Sequence, residues 1–203
     1  MNSKNRQNLY PTLARTSPVI FAVILVMNCI IQPSFNAFYI FIMYFAIMLS
    51  NYALKNLLFK PFYNFFNSSK LTILGSGSRP KGANGCHFTL DDVLSISFGM
   101  PSGHSQIAWS VATYILCKII YNFKNNIYEN TNNINNTIKI LNYIWFFTSC
   151  ILIIWVAFYI SYSRVYIEGC HTLQQVIVGG LFGIASGFLV YYFEDNIKKI
   201  LKI

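Results

Sequence analysis

The sequence predicts an all-α integral membrane protein, a compact bundle of about five transmembrane helices. Three observations carry this expectation. Of 203 residues, 55% are hydrophobic and only 10% charged, too apolar for an ordinary soluble domain. The apolar residues form runs as long as a bilayer core is thick. The ionisable residues collect at one end of those runs, where a helix bundle carries a polar site.

The first run, residues 18–31, is short, in the range where a span and an interfacial segment read alike. Its basic start (Lys4, Arg6, Arg15) resembles a signal peptide, but Gln32-Pro33 follows it instead of a small-residue cleavage site, so a retained helix is expected. Residues 35–54 form the second run. The third, residues 105–123, is interrupted only by Lys118, whose long stem is expected to snorkel to an interface. Residues 141–160 and 173–193 carry no charge at all. Cys29, Cys117 and Cys150 lie inside these runs and read as packing residues.

Three loops are expected. Residues 61–101 are rich in Gly, Ser and Asn, and residues 121–137 carry the asparagine-biased NNIYENTNNINNT, a flexible connector. Residues 161–170 join the last two spans. Because spans alternate in direction, the first and third loops share one membrane face. There is no internal repeat, and residues 1–203 read as one domain with its motif-bearing core at about 51–190. The net charge of +9 would point to nucleic acid in a soluble protein. In a membrane chain it points instead to lipid head groups and an anionic substrate. No nucleic acid is expected, and the oligomeric state stays open.

The chain has only three histidines, His87, His104 and His171, and all fall on the shared face with Arg79, Lys81 and Arg164. One stretch there, GMPSGHSQ (99–106), enters an apolar helix. Pro and Ser are ordinary helix-start residues. Equally, a helix N-terminus with free N–H groups suits a phosphate. Taken alone, the stretch leaves both readings open.

With GSGSRPKGA (75–83) and YSRVYIEGCHTLQQV (162–176), it resembles the three motifs of the type 2 phosphatidic acid phosphatase superfamily. In detail the motifs are most similar to the dolichyl diphosphate phosphatases, where glutamine replaces the usual aspartate. The resemblance implies a membrane lipid phosphatase that hydrolyses a polyprenyl (dolichyl-type) diphosphate through a phosphohistidine intermediate, without metal or other cofactor. It further implies His171 as nucleophile, His104 as general acid and an endomembrane, endoplasmic-reticulum-like location. The alternatives are a broad-specificity phosphatase for phosphatidic acid and related lipids, and a non-catalytic lipid-phosphate-binding protein.

The residue chemistry agrees with phosphate-ester cleavage. Arg79 and Arg164 offer planar forks that match phosphate bidentately. The N–H groups of Ser102 and Gly103, with the Ser102 hydroxyl, are expected to form a cradle, Gly103 allowing close approach. Gln175 lies one helical turn after His171, within reach of its other ring nitrogen, although it also reads as a helix-start cap. The motifs depart from the family in two places. Six residues separate Arg164 from His171 where five are usual. The first-motif lysine is either Lys55, at a helix end, or Lys70, with Lys55 preferred.

Cys86-His87 and Cys170-His171 raise a Cys₂His₂ metal site as a rival, but adjacent residues rarely ligate one ion well. A Cys86–Cys170 disulfide is favoured over it if that face meets an oxidising compartment. Gly179, Gly183 and Gly187 mark a close helix contact. Orientation stays open, because basic residues favour a cytoplasmic site while the resemblance implies a lumenal one. The sequons at Asn67 and Asn135 lie on opposite faces and decide nothing.

Overall fold

The computed structural model describes residues 3–65, 79–80, 83, 86, 98–129 and 136–202, with side chains from residue 12 onward and none for 126–136. Lys70, Lys81, His87, Asn67 and Asn135 lie outside the described residues. Among the described residues six α-helices follow in order: α1 (Ser3–Ile31), α2 (Phe35–Ala53), α3 (Lys60–Phe65), α4 (Gly103–Glu129), α5 (Asn136–Tyr162) and α6 (Leu173–Leu201). No strand occurs among the described residues.

Among the described residues four apolar stretches are long enough to cross a membrane: Thr12–Ile31, Phe35–Phe65, Thr137–Ile167 and Leu173–Leu201. The fifth long helix, α4, packs against α6, α5, α2 and α1. The all-α membrane bundle is therefore as expected. The first span gains its length upstream, from the polar residues 12–17. Pro18 sits inside α1 and lacks the N–H that the Ala14 carbonyl needs. The Ser17 hydroxyl donates to that carbonyl at 2.8 Å, so the helix continues past the proline.

The other boundaries shift for equally local reasons. The chain stays helical through Phe65, because a π-turn, Leu54–Phe59, joins α2 to α3 without a break. The asparagine-rich connector is shorter than expected, since α4 runs on to Glu129. Phe123 on α4 stacks on Phe146 at 4.0 Å and meets Tyr143 edge-on at 5.2 Å, holding α4 to α5.

The bundle turns large side chains outward and small or polar ones inward. Leu49, Trp145 and Ile151 are exposed, whereas Ser102, Ser105, Gln106 and Ser110 on α4 are buried. Without water to drive apolar surfaces together, helices associate through close backbone packing and internal hydrogen bonds. Along α6, Gly179, Gly183 and Gly187 face Ser102, Gln106 and Ser110, and a Cβ at any of them would collide with the facing carbonyl oxygen. These contacts fix the register of α6 on α4. An apolar cluster of Tyr39, Tyr44, Ile47, Ile107, Tyr114 and Val190 joins α2, α4 and α6.

Lys118 has partners within the bundle. Its Nζ lies 2.6 Å from Glu194, a fully buried carboxylate that also takes hydrogen bonds from Tyr114 and Lys198 at 2.8 Å each. Two ring faces, Tyr114 and Tyr191, also border the ammonium.

Candidate active site

At the end of α5 the helix widens into a π-turn, Ser163–Ile167, before the chain reverses at Gly169 with φ +61°. A π-turn holds one more residue than an α-turn. Arg164 lies within this π-turn. The N–H groups of Cys170 and His171 both donate to the Arg164 carbonyl, at 3.0 and 3.1 Å, and so hold the reversal closed.

Arg164 is fully buried. Its Nη1 pairs with Glu168 and its Nη2 donates to the Cys86 carbonyl at 2.9 Å. Its Nε has no hydrogen-bond partner among the described residues. Arg79 approaches from the other side. Its Nη1 donates to the Cys170 carbonyl at 3.1 Å and lies 3.2 Å from Nε2 of His171. Burial, then the neighbouring Arg164 charge, lowers the Arg79 pKa to about 10, which leaves it cationic at neutral pH.

The tautomer of His171 follows from its neighbours. Gln175 Oε1 lies 3.0 Å from Nδ1 and also accepts the Thr172 N–H at 3.3 Å. An oxygen that takes that N–H is an acceptor, so Nδ1 carries the proton. Nε2 is then the acceptor, and its lone pair takes the Arg79 Nη1–H at 3.2 Å, a bond that must open before Nε2 can reach a phosphorus. Burial chiefly, then the charges of Arg79, Arg164 and Lys55, hold the imidazole pKa well below its ordinary value, so the ring is neutral at pH 7. Gln175 also closes a capping box with Thr172, whose hydroxyl accepts the Gln175 N–H at 3.4 Å. The two roles expected as alternatives for Gln175 thus coexist.

At the start of α4, Ser102 and Gly103 occupy the same corner, but the cradle differs from expectation. The Ser102 N–H donates to the Gln175 carbonyl at 3.0 Å and is not free for a phosphate. The glycine register of α6 brings that carbonyl within reach. The Ser102 hydroxyl is fully buried with no hydrogen-bond partner among the described residues. Gly103 does mark a close approach: a Cβ there would lie 3.0 Å from Asn51 Oδ1. Asn51 in turn donates to Gln106 at 2.7 Å, which donates to Ser50 at 3.1 Å.

His104 turns one nitrogen away from the reaction centre, toward α1. Its Nε2 lies 2.8 Å from the Arg15 carbonyl, which only accepts, so Nε2 carries a proton. Its Nδ1 makes no hydrogen bond among the described residues. Arg15 Nε also lies 3.5 Å from Glu168. Neither Arg15 contact is legible in the sequence, because α1 carries no motif. Asn51 and Gly99 were missed too. Asn51 is a polar residue inside an apolar run, a signal that exists in the sequence. A Cβ at Gly99 would lie 2.7 Å from both Gln175 Oε1 and Nε2.

Lys55 lies in a second π-turn, Leu54–Phe59, and its charge acts on His171. Lys70 lies outside the described residues. Cys86 and Cys170 form a disulfide, Cα to Cα 5.6 Å. That bond consumes both thiolates of the rival Cys₂His₂ site.

The chain is 32% identical to Dolichyldiphosphatase 1 of Homo sapiens over 118 residues, covering 58% of this chain and 44% of the relative. It is 31% identical to Dolichyldiphosphatase of Saccharomyces cerevisiae over 113 residues, covering 54% and 39%. The matched stretch thus spans less than half the length of these relatives. No solved structure matches the chain. The PAP2 superfamily model matches residues 35–199, which takes in all three motifs and the helices that carry them, and the chain belongs to that superfamily.

Proposed function

We propose that this protein is a membrane lipid phosphatase of a single domain that cleaves a polyprenyl diphosphate of the dolichyl type to its monophosphate. The observation that carries the proposal is the Nε2 lone pair of His171, beside Arg79 and held in one tautomer by Gln175. Nε2 attacks the terminal phosphorus, and the bond from that phosphorus to the bridging oxygen breaks. His104 already holds a proton on Nε2, so it donates from Nδ1 as the imidazolium. Burial and the Arg164 charge disfavour that cation, and the negative charge of the bound diphosphate restores it. His104 protonates the departing polyprenyl monophosphate and then takes a proton from the attacking water. Water then attacks the phosphohistidine, releasing inorganic phosphate and restoring His171.

Arg79, Arg164 and Lys55 meet the charge on the phosphoryl oxygens. The unpartnered Ser102 hydroxyl and Arg164 Nε are buried polar groups that a phosphate oxygen would satisfy. Such a set stabilises the charge without a divalent ion. The relatives' names support the dolichyl-type substrate. The disulfide favours a site facing an oxidising lumen, as in an endoplasmic-reticulum-like membrane. Arg15, Arg79 and Arg164 are engaged within the site and do not count as orientation signals.

The test is phosphate release from detergent-solubilised protein, with chelator present, across polyprenyl diphosphates, polyprenyl monophosphates and phosphatidic acid. Preferential release from the diphosphates supports the proposal. Equal release from phosphatidic acid would indicate a broad-specificity enzyme, and loss in chelator restored by magnesium would overturn the metal-free chemistry.

A further inference from the structure

The reaction above makes no use of the Cys86–Cys170 bridge, yet both half-cystines hold a phosphate-binding arginine. The Cys170 carbonyl accepts from Arg79, and the Cys86 carbonyl accepts from Arg164. The pairing is crossed. Arg79 and Cys86 belong to one segment, Arg164 and Cys170 to the other, so each arginine is held by the cysteine of the opposite segment. The bridge spans 84 residues of sequence and sets the two Cα atoms 5.6 Å apart. It therefore sets the spacing of the two carbonyls on which the guanidinium groups rest.

Little else among the described residues performs this task. Cys86 and Cys170 are buried with Ala83 in a cluster of small side chains, which offers little apolar area to hold two segments together. Both arginines need accurate placement, because Arg79 also borders Nε2 of His171.

We infer that the Cys86–Cys170 disulfide is a positioning element of the active site, one that sets Arg79 and Arg164 at the separation a phosphoryl group requires. The inference rests on the phosphate-binding roles proposed for those arginines. It extends beyond anchoring a loop, because opening the bridge is expected to weaken phosphoryl binding in protein that stays folded.

The experiment compares the wild type with Cys86→Ser/Cys170→Ser in membranes, using orthovanadate as the phosphoryl mimic. Vanadate binding is read by thermal shift, and KM and kcat by phosphate release. The double variant is expected to bind vanadate about 10- to 100-fold more weakly, the scale of a small misplacement of reacting groups, with KM raised. Reduction of folded wild type by dithiothreitol, which transfers two electrons and two protons and leaves two thiols, should reproduce the change, and reoxidation should reverse it. This second route holds if the variant fails to insert.

A bridge that only stabilises the fold would reduce the amount of active enzyme, leaving KM and vanadate binding unchanged, and that result overturns the inference. So does alkylation of both cysteines in unreduced protein. Turnover of lipid phosphate with bridge-independent vanadate binding overturns this inference alone. Bridge-dependent vanadate binding with no phosphate release from any lipid supports it and overturns the phosphatase reading instead.

Discussion

The side-chain oxygen of Gln175 accepts the Nδ1 proton of His171 across 3.0 Å, and so decides which imidazole nitrogen faces Arg79. The amide that makes this bond lies against Gly99, where a Cβ would fall 2.7 Å from its terminal atoms. The glycine before Met100-Pro101 is therefore coupled to the ring through one side chain.

Gly99→Ala tests that coupling. The added methyl meets the end of a flexible side chain rather than backbone, so the fold tolerates it while the amide moves. Misplacement of the ring should lower kcat by about 10- to 100-fold with little change in melting temperature. Unchanged kcat in a folded Gly99→Ala protein would show that the amide does not orient His171.

Gln175→Asp replaces the neutral amide by a carboxylate on a side chain one methylene shorter. It stabilises the imidazolium and raises the His171 pKa from its depressed position. Only the neutral ring offers a lone pair, so activity falls as pH drops through that pKa. The acid limb of the pH–rate profile should therefore move to higher pH in Gln175→Asp, as measured by kcat/KM across the acidic range. A limb that stays in place would mean that the new carboxylate does not reach Nδ1.

Gly183→Ala probes the register between α6 and α4. The new Cβ would collide with the Gln106 carbonyl and crowd Trp109, both parts of the packed interface. Overpacking of this kind costs about 1–3 kcal/mol, and backbone contact places this site toward the upper end. Because the same register lets the Ser102 N–H reach the Gln175 carbonyl, activity should fall together with melting temperature. A stable but inactive variant would separate register from stability.

The helical runs were legible because a bilayer forces long uninterrupted apolar segments, and residues 141–160 and 173–193 show this without ambiguity. Helix ends were less legible. Ser17 carries α1 past Pro18 by a hydroxyl bond one turn back, and Phe123 carries α4 past its apolar run through a contact on α5 that no local pattern encodes. At the site, Arg79, Arg164, His104, His171 and Gln175 could be named because they sit in short motifs. Arg15 could not, since its carbonyl meets His104 across 89 residues of sequence and a backbone atom leaves no mark in residue type. Nor could the loss of the Ser102 N–H to Gln175, which depends on how deeply the α6 glycines let two backbones approach.

The central claim is that Nε2 of His171 takes the phosphoryl group. The most direct measurement is acid-free rapid quenching of enzyme mixed with polyprenyl diphosphate labelled in its terminal phosphate, followed by peptide mapping. The account predicts a labelled adduct that is stable to base, labile to acid, confined to the peptide bearing His171 and absent from His171→Ala, which also releases no phosphate. Phosphate release at the wild-type rate by His171→Ala, or a wild type that turns over with label on no histidine, would contradict it.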